Sequence, residues 1–256
     1  MKLSVRSLLF DYGGTIDTNG VHWGEALWEM YGLYHKGLSR EVYGKAYVQV
    51  EQQLGRQSII QPNHTFKETL AIKVSLQLEI LGIGSSGLVD QITEASYENT
   101  RQCVHRASKV LSQLKEYYPM HLVSNFYGNL QTVLREFELT DFFKTVTESA
   151  EVGYRKPDPE IYKIAIEKTG CRPEEIVVIG DSYKNDIQPA EKIGCQSIWL
   201  KVKGWNNEVM PIHHPLIIKD FSNLITIVPF GTEYCYHEDY KSCFTQHRNT
   251  NPMWRW

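Results

Sequence analysis

Four short stretches of this chain each place polar side chains directly after an apolar, strand-like run. Leu8-Leu9-Phe10 leads into Asp11, and His121-Leu122-Val123 leads into Ser124 and Asn125. Ile176 to Ile179 lead into Gly180-Asp181-Ser182 and then Asn185-Asp186. Between these, Gly153-Tyr154-Arg155-Lys156-Pro157-Asp158 sets a lysine just ahead of a helix start. In an open α/β sheet the carboxyl edge of the strands is where ligands bind. Asp11 and Asp181 on neighbouring strand ends could hold a hard divalent cation, because Mg²⁺ typically takes one or two carboxylates plus substrate oxygens and water. The Ser124 hydroxyl, nearby backbone amides and Lys156 would supply donors and positive charge to a phosphoryl group. Asp11 would then attack phosphorus and carry the group as an aspartyl-phosphate. Taken one at a time these residues have ordinary readings: turn residue, cap or solvated lysine. Together they describe phosphoryl transfer.

The elements that must position them follow from periodicity. Val5 to Phe10 reads as a short buried strand stopped by the turn Asp11-Tyr12-Gly13-Gly14-Thr15. From about 20 to 103 the period is helical: Trp23, Leu27, Met30, Tyr31 and Tyr34 share one face, as do Tyr43, Tyr47, Val50 and Leu54. Thr65 with Glu68 is a capping-box signature for a third helix through Leu70, Val74, Leu78 and Leu81, which Gly82 can end. A fourth helix is expected over 88–100. Thereafter helices near 104–117, 128–137, 158–169 and 185–193 alternate with strands at 121–123, 145–147, 176–179 and 197–200. Such alternation means βα units and a parallel sheet. The expected fold is α/β, a Rossmann-like core over 1–17 and 104–228, with a helical module at 18–103. Residues 229–256, seven of them aromatic, form a C-terminal extension without a clear period.

Composition narrows the class. The chain has 256 residues, 27 basic against 30 acidic for a net charge of −3, and 42% apolar residues, enough for a packed core. The charge balance, without a long basic run, argues against a general nucleic-acid binder. Leu8-Leu9-Phe10 is too short for a signal peptide or membrane span. Five scattered cysteines without CxxC spacing point to a reducing compartment and no zinc site. The expectation is a cytoplasmic protein acting on a small molecule.

The four segments resemble, in order, the motifs of the haloacid dehalogenase-like (HAD) superfamily, over about residues 7–200. DYGGT is similar to its nucleophile motif, VSN to its Ser/Thr motif, RKPDP to its lysine motif and GDSYKND to its acidic motif. The resemblance implies Asp11 as nucleophile and metal ligand, the Gly13 carbonyl, Asp181 and Asp186 around Mg²⁺, Ser124 and Lys156 on the phosphoryl group, and Asn125 lining the site. The insert over 18–103 resembles the family's cap domain. Phosphatases of the family usually carry a second aspartate two residues after the nucleophile, as general acid and base; Gly13 stands there. Such a group is typically worth about 10² to 10⁴ in rate. Three readings stay open. Asp17, His22, His35 or His64 could supply the proton. The chemistry could be phosphonate cleavage through a cap lysine (Lys36, Lys45, Lys67 or Lys73). Or the site binds without turning over. Asp181 and Asp186 favour a metal-dependent reaction over dehalogenation, whose enzymes are depleted in that motif.

Overall fold

A computed structural model describes residues 3, 5–84, 86–205 and 213–228. Six parallel strands form one sheet in the order β3-β2-β1-β4-β5-β6: β1 (Ser7–Phe10), β2 (Met120–Ser124), β3 (Thr145–Glu148), β4 (Ile176–Gly180), β5 (Gln196–Leu200) and β6 (Ile217–Ile218). β1, β2 and β4 are buried end to end. That explains why they read as unbroken apolar runs rather than alternating ones. The chain winds outward from β1 to β3, then returns to β4 on the other side of β1. The reversal in strand order therefore falls at β1, where an α/β sheet opens a crevice.

Four helices follow β1: α1 (Trp23–Tyr34), α2 (Arg40–Arg56), α3 (Phe66–Leu81) and α4 (Ser86–Lys115). α3 starts on the expected capping box, with Thr65 and Glu68 bonded reciprocally, and ends at Gly82 in the left-handed region (φ 67°). The remaining α-helices among the described residues are α5 (Leu130–Glu136), α6 (Ser149–Val152), α7 (Pro159–Thr169), α8 (Gln188–Lys192) and α9 (Leu224–Ile227), and a single π-helical turn, Tyr183–Ile187, leads into α8. Asp158 caps α7 through the Glu160 amide at 3.0 Å, with Pro159 in the first turn as the sequence suggests.

One expectation fails here, and one element goes unanticipated. The separate helices over 88–100 and 104–117 are one thirty-residue helix, α4. Neither Gly nor Pro occurs between Leu88 and Lys115, so nothing in the chain stops it. What changes along α4 is its partner. Leu88 and Ile92 pack with Leu27, Tyr31, Tyr43 and Val74 of the inserted helices, while Val104, Ala107, Leu111 and Leu114 pack under the sheet with Phe10 and Leu122. Strand β6, only two residues long, carries too little pattern to be found in sequence. The loop at His213-His214 ahead of it is as expected. His214 nonetheless is buried, with Nε2 2.9 Å from both Ser197 Oγ and Glu191 Oε1. The aromatic extension at 229–256 lies outside the described residues.

The loop after β5 ties the inserted helices to the sheet. His22 N–H donates to Lys203 O (2.8 Å), Lys203 N–H to Gly20 O (3.1 Å), and Trp205 stacks on Tyr47 at 4.9 Å between ring centres. Gly24 lies so close beneath Trp205 that an added Cβ would overlap its ring, whereas Gly32 of the same helix has nothing within 4 Å. Gly32→Ala is therefore expected to stabilise the fold by about 0.5–1 kcal/mol through helix propensity. Gly24→Ala is expected to cost about 1–3 kcal/mol, because overpacking outweighs that gain. Denaturant midpoints of the two variants check the difference in sign.

Candidate active site

The sheet register brings the polar residues together. Phe10 pairs with Leu122 on one side and Ile179 on the other, so Asp11 leaves β1 between the ends of β2 and β4. The Asp11 amide extends the ladder to Ile179 O at 2.9 Å. Asp11 is buried, and its Oδ1 receives the Lys156 ammonium, which also donates to Asp186 Oδ1 (2.6 Å) and Val123 O (3.3 Å). Lys156 is itself placed by Asn125 on the β2 loop: the Lys156 amide donates to Asn125 Oδ1 (2.8 Å), and Asn125 Nδ2 donates to Lys156 O (3.0 Å). Asn125 thus works as the clamp between the second and third segments.

Asp11, Asp181 and Asp186 each offer a carboxylate oxygen, and these oxygens lie within 4.8 Å of one another. Gly14 makes that approach possible. Its φ of +97° is one that side chains rarely adopt, and a Cβ there would sit 2.6 Å from an Asp181 oxygen. Thr15 closes the group, donating to Asp11 Oδ2 at 2.8 Å and accepting from the Asp181 amide at 3.0 Å. Asp186 is fixed by the Ser182 amide (3.0 Å) and the Tyr162 hydroxyl (3.1 Å). Thr15 and Tyr162 are parts of the site that sequence reasoning missed. Thr15 stood in the first motif with no role assigned; Tyr162 carried no signal at all.

Three carboxylates share one ammonium, and the electrostatics follow. Burial pushes the Asp11 carboxyl up to about 6, against the pull of Lys156 and with the help of Asp186. Burial, then Asp11 and Asp186, push Asp181 well above the usual carboxylate range. Burial opposes the charge on Lys156, but Asp11 and Asp186 outweigh it and raise its pKa. A hard divalent cation matches this donor set: all ligands are oxygens, and negative charge is in excess. The Gly13 carbonyl takes none of the turn's backbone hydrogen bonds among the described residues; those fall on Tyr12 O and Gly14 O. Beside the cluster, Ser124 Oγ is buried with no partner among the described residues. A buried hydroxyl without a partner costs about 1–3 kcal/mol, a cost that an anionic oxygen placed against it would remove.

None of the candidate replacement acids reaches the Asp11 carboxylate by hydrogen bond among the described residues. Asp17 is fully buried, with a carboxyl pushed up to about 7 by that burial. Both of its oxygens are engaged, Oδ1 by the Gly14 amide at 2.7 Å and Oδ2 by the Trp23 indole at 2.9 Å. It ties the Asp11 loop to α1. His22 caps α1 through the Gly24 amide (3.0 Å), His35 is the C-cap of the same helix, and His64 accepts from the Gln61 amide (3.1 Å).

Comparison with known proteins identifies the family. A sequence model described as haloacid dehalogenase-like hydrolase matches residues 5–194, well over half of the chain. The chain belongs to this family. Among curated relatives, glyceraldehyde 3-phosphate phosphatase of Pyrococcus furiosus is 34% identical over 113 residues, 41% of this chain and 47% of the relative. Phosphoglycolate phosphatase of Salmonella typhi is 34% identical over 92 residues, 36% of each chain. The match thus spans less than half the length of either phosphatase. The solved structure of the HAD-hydrolase YfnB of Bacillus subtilis, bound to magnesium, has a TM-score of 0.55 at 24% identity and covers 88% of this chain and 99% of its own. A dehalogenase solved with an intermediate has a TM-score of 0.60 at 20% identity, covering 88% and 97%. At these identities the structural likeness speaks for the fold. Among the described residues no helix is long and apolar enough to cross a membrane.

Proposed function

We propose that this HAD-like hydrolase is a Mg²⁺-dependent phosphatase of a small phosphorylated metabolite, with Asp11 as the nucleophile. The observation that carries the reading is Lys156, buried, bridging Asp11 and Asp186 beside the unpartnered Ser124 hydroxyl. Asp11, Asp181, Asp186 and the Gly13 carbonyl would hold the metal, which supplies positive charge to the phosphoryl oxygens. The chain's own residues do the rest. Thr15 and Lys156 orient the Asp11 carboxylate so that one oxygen faces phosphorus, while the Ser124 hydroxyl and the Lys156 ammonium receive the equatorial oxygens. The P–O bond to the leaving group breaks as the Asp11–phosphorus bond forms, and water then attacks phosphorus to release Asp11 and phosphate. Residues 18–103 are the cap that closes over this step, a reading supported by their own apolar cluster around Leu27, Tyr43 and Val74. The phosphatases among the relatives support a small phosphate ester as substrate. Cys103, Cys171 and Cys195 are free thiols, in keeping with a cytoplasmic site of action.

No observation favours phosphonate cleavage. A Schiff-base lysine needs a free amine. Lys45 is paired with Glu41 and Lys67 with Glu94, Lys36 is exposed, and Lys73 is buried in an ion pair with Glu51 that raises its pKa.

Gly13 separates an active enzyme from one that only binds. Its Cβ position has no atom within 4 Å, and its φ lies outside the left-handed region, so neither the backbone nor the Cβ position opposes a side chain there. The missing acid matters most for alkoxide leaving groups, which must be protonated as they depart. Gly13→Asp is therefore expected to raise alkyl phosphate turnover about 10- to 10³-fold and aryl phosphate turnover far less. Phosphate release from both esters with Mg²⁺ measures it. An equal or absent gain would mean that the proton is supplied elsewhere, against this reading of Gly13.

A further inference from the structure

The strand beside the acidic segment lends it a side chain. β4 and β5 pair as far as Gly180 and Trp199, and Asp181 follows the last pair. Beyond that ladder, two side chains hold the Asp181 peptide groups. Thr15 Oγ1 accepts from the Asp181 amide at 3.0 Å, and the Trp199 indole Nε1–H donates to the Asp181 carbonyl at 2.8 Å. Asp11 and Asp186 are oriented through their carboxylates, by the Lys156 ammonium. Asp181 is oriented through its backbone. A peptide unit is planar, so a residue turns only about φ and ψ. The Thr15 bond pins the plane before the Asp181 Cα, and the Trp199 bond pins the plane after it. Together they fix the direction in which the Asp181 side chain leaves the chain.

The same indole reaches the second acidic residue. Its ring packs on Tyr183 at 5.2 Å between ring centres, and Tyr183 opens the π-helical turn that carries Asp186. Trp199 is buried, with the Lys201 ammonium 4.5 Å from its ring centre. Packing alone asks only for an apolar ring here. What tryptophan adds is one donor, held by a strand and aimed at the Asp181 carbonyl.

We infer that Trp199 is a positioning residue for the divalent-cation site, holding Asp181 so that its carboxylate meets those of Asp11 and Asp186. This rests on reading the three carboxylates as Mg²⁺ ligands. Groups that orient a metal ligand typically contribute about 10- to 100-fold in metal affinity. A neutral hydrogen bond to a backbone carbonyl falls at the low end of that range.

Trp199→Phe keeps a ring against Tyr183 and removes the N–H. The Mg²⁺ dissociation constant, measured by calorimetry with the metal alone, is expected to rise about tenfold. Ser197→Ala is the control. Ser197 lies two residues back on the same face of β5, buried, with its hydroxyl bonded to Glu191 at 2.7 Å and 2.9 Å from His214 Nε2. Its loss disturbs the strand at bonds that do not involve Asp181 and is expected to leave the Mg²⁺ constant unchanged. If the smaller ring of Trp199→Phe unfolds β5, the benzothiophene analogue of tryptophan placed at position 199 alone keeps the size, replaces the N–H by sulfur, and is expected to show the same weakening. A parent that binds Mg²⁺ no better than these two variants, or an equal weakening in Ser197→Ala, would overturn the inference and leave the metal reading standing. A parent that binds no Mg²⁺ would overturn both.

Discussion

Asp11→Asn is expected to lower Mg²⁺-dependent phosphate release by at least about 10⁴-fold while leaving the protein folded, since a nucleophile deletion removes the covalent path entirely. The separation of chemistry from folding comes from the charge count. Asp11, Asp181 and Asp186 face a single ammonium, and burial holds the Asp11 carboxyl at about 6. A carboxyl raised above its unfolded value of 3.8 binds its proton more tightly in the folded state. Its contribution to stability is present below about pH 4 and is lost as pH rises through 6. At neutral pH without metal, the amide relieves that strain. The thermal midpoint of metal-free Asp11→Asn is therefore expected to equal or exceed that of the parent at pH 7, with the advantage gone near pH 4. A midpoint several degrees lower at pH 7 would show that Asp11 contributes to folding rather than storing strain for the reaction.

Lys156→Met is expected to do the opposite, damaging the fold first. The lysine is buried between Asp11 and Asp186, and its removal leaves both carboxylates facing each other with no cation. Removing one partner of a buried ionic group typically costs about 3–5 kcal/mol. Asp181 beside the pair adds to the repulsion. A divalent cation would take up part of that charge, so Mg²⁺ is expected to raise the melting temperature of Lys156→Met by more than that of the parent. Turnover is expected to stay at least about 10²-fold down even in Mg²⁺, because the phosphoryl oxygens lose a donor that a methionine cannot replace. Equal Mg²⁺ stabilisation of the two proteins would contradict the shared charge balance proposed for the site.

Much of this arrangement was legible in the sequence because its chemistry sits at strand ends. β1, β2 and β4 are short, fully buried and each closed by a polar residue, so apolar runs of three to five residues ending at Asp11, Ser124 and Asp181 carried both the fold and the site. α3 was equally plain, since Thr65, Glu68 and Gly82 mark its ends through local hydrogen bonds. What stayed hidden depends on contacts far apart in the chain. α4 changes partners midway, and a helical period reports a buried stripe without naming what buries it. Thr15 bridges Asp11 to Asp181 across 166 positions, and Tyr162 reaches Asp186 from the opposite side of the sheet order. Lys73 shows the limit best. It lies beside Leu70 and Val74 on the buried face of α3, and only the tertiary structure supplies Glu51 and the two rings that enclose it. Asp17 likewise reads as a turn residue or an acid in sequence; its two hydrogen bonds, to Gly14 and Trp23, give it to the turn.

The central claim is a phosphoryl group carried on Asp11, and rapid mixing of the protein with an aryl phosphate and Mg²⁺ tests it most directly. Water must attack the phosphorylated Asp11 without the base that Gly13 cannot supply, so the second step is expected to be the slow one. The account predicts a burst of about one equivalent of phenol per protein, matched by acid-stable phosphoryl label on the peptide containing Asp11, and neither in Asp11→Asn. Phenol released linearly, no label on the protein at any time, and the same rate in Asp11→Asn would contradict it.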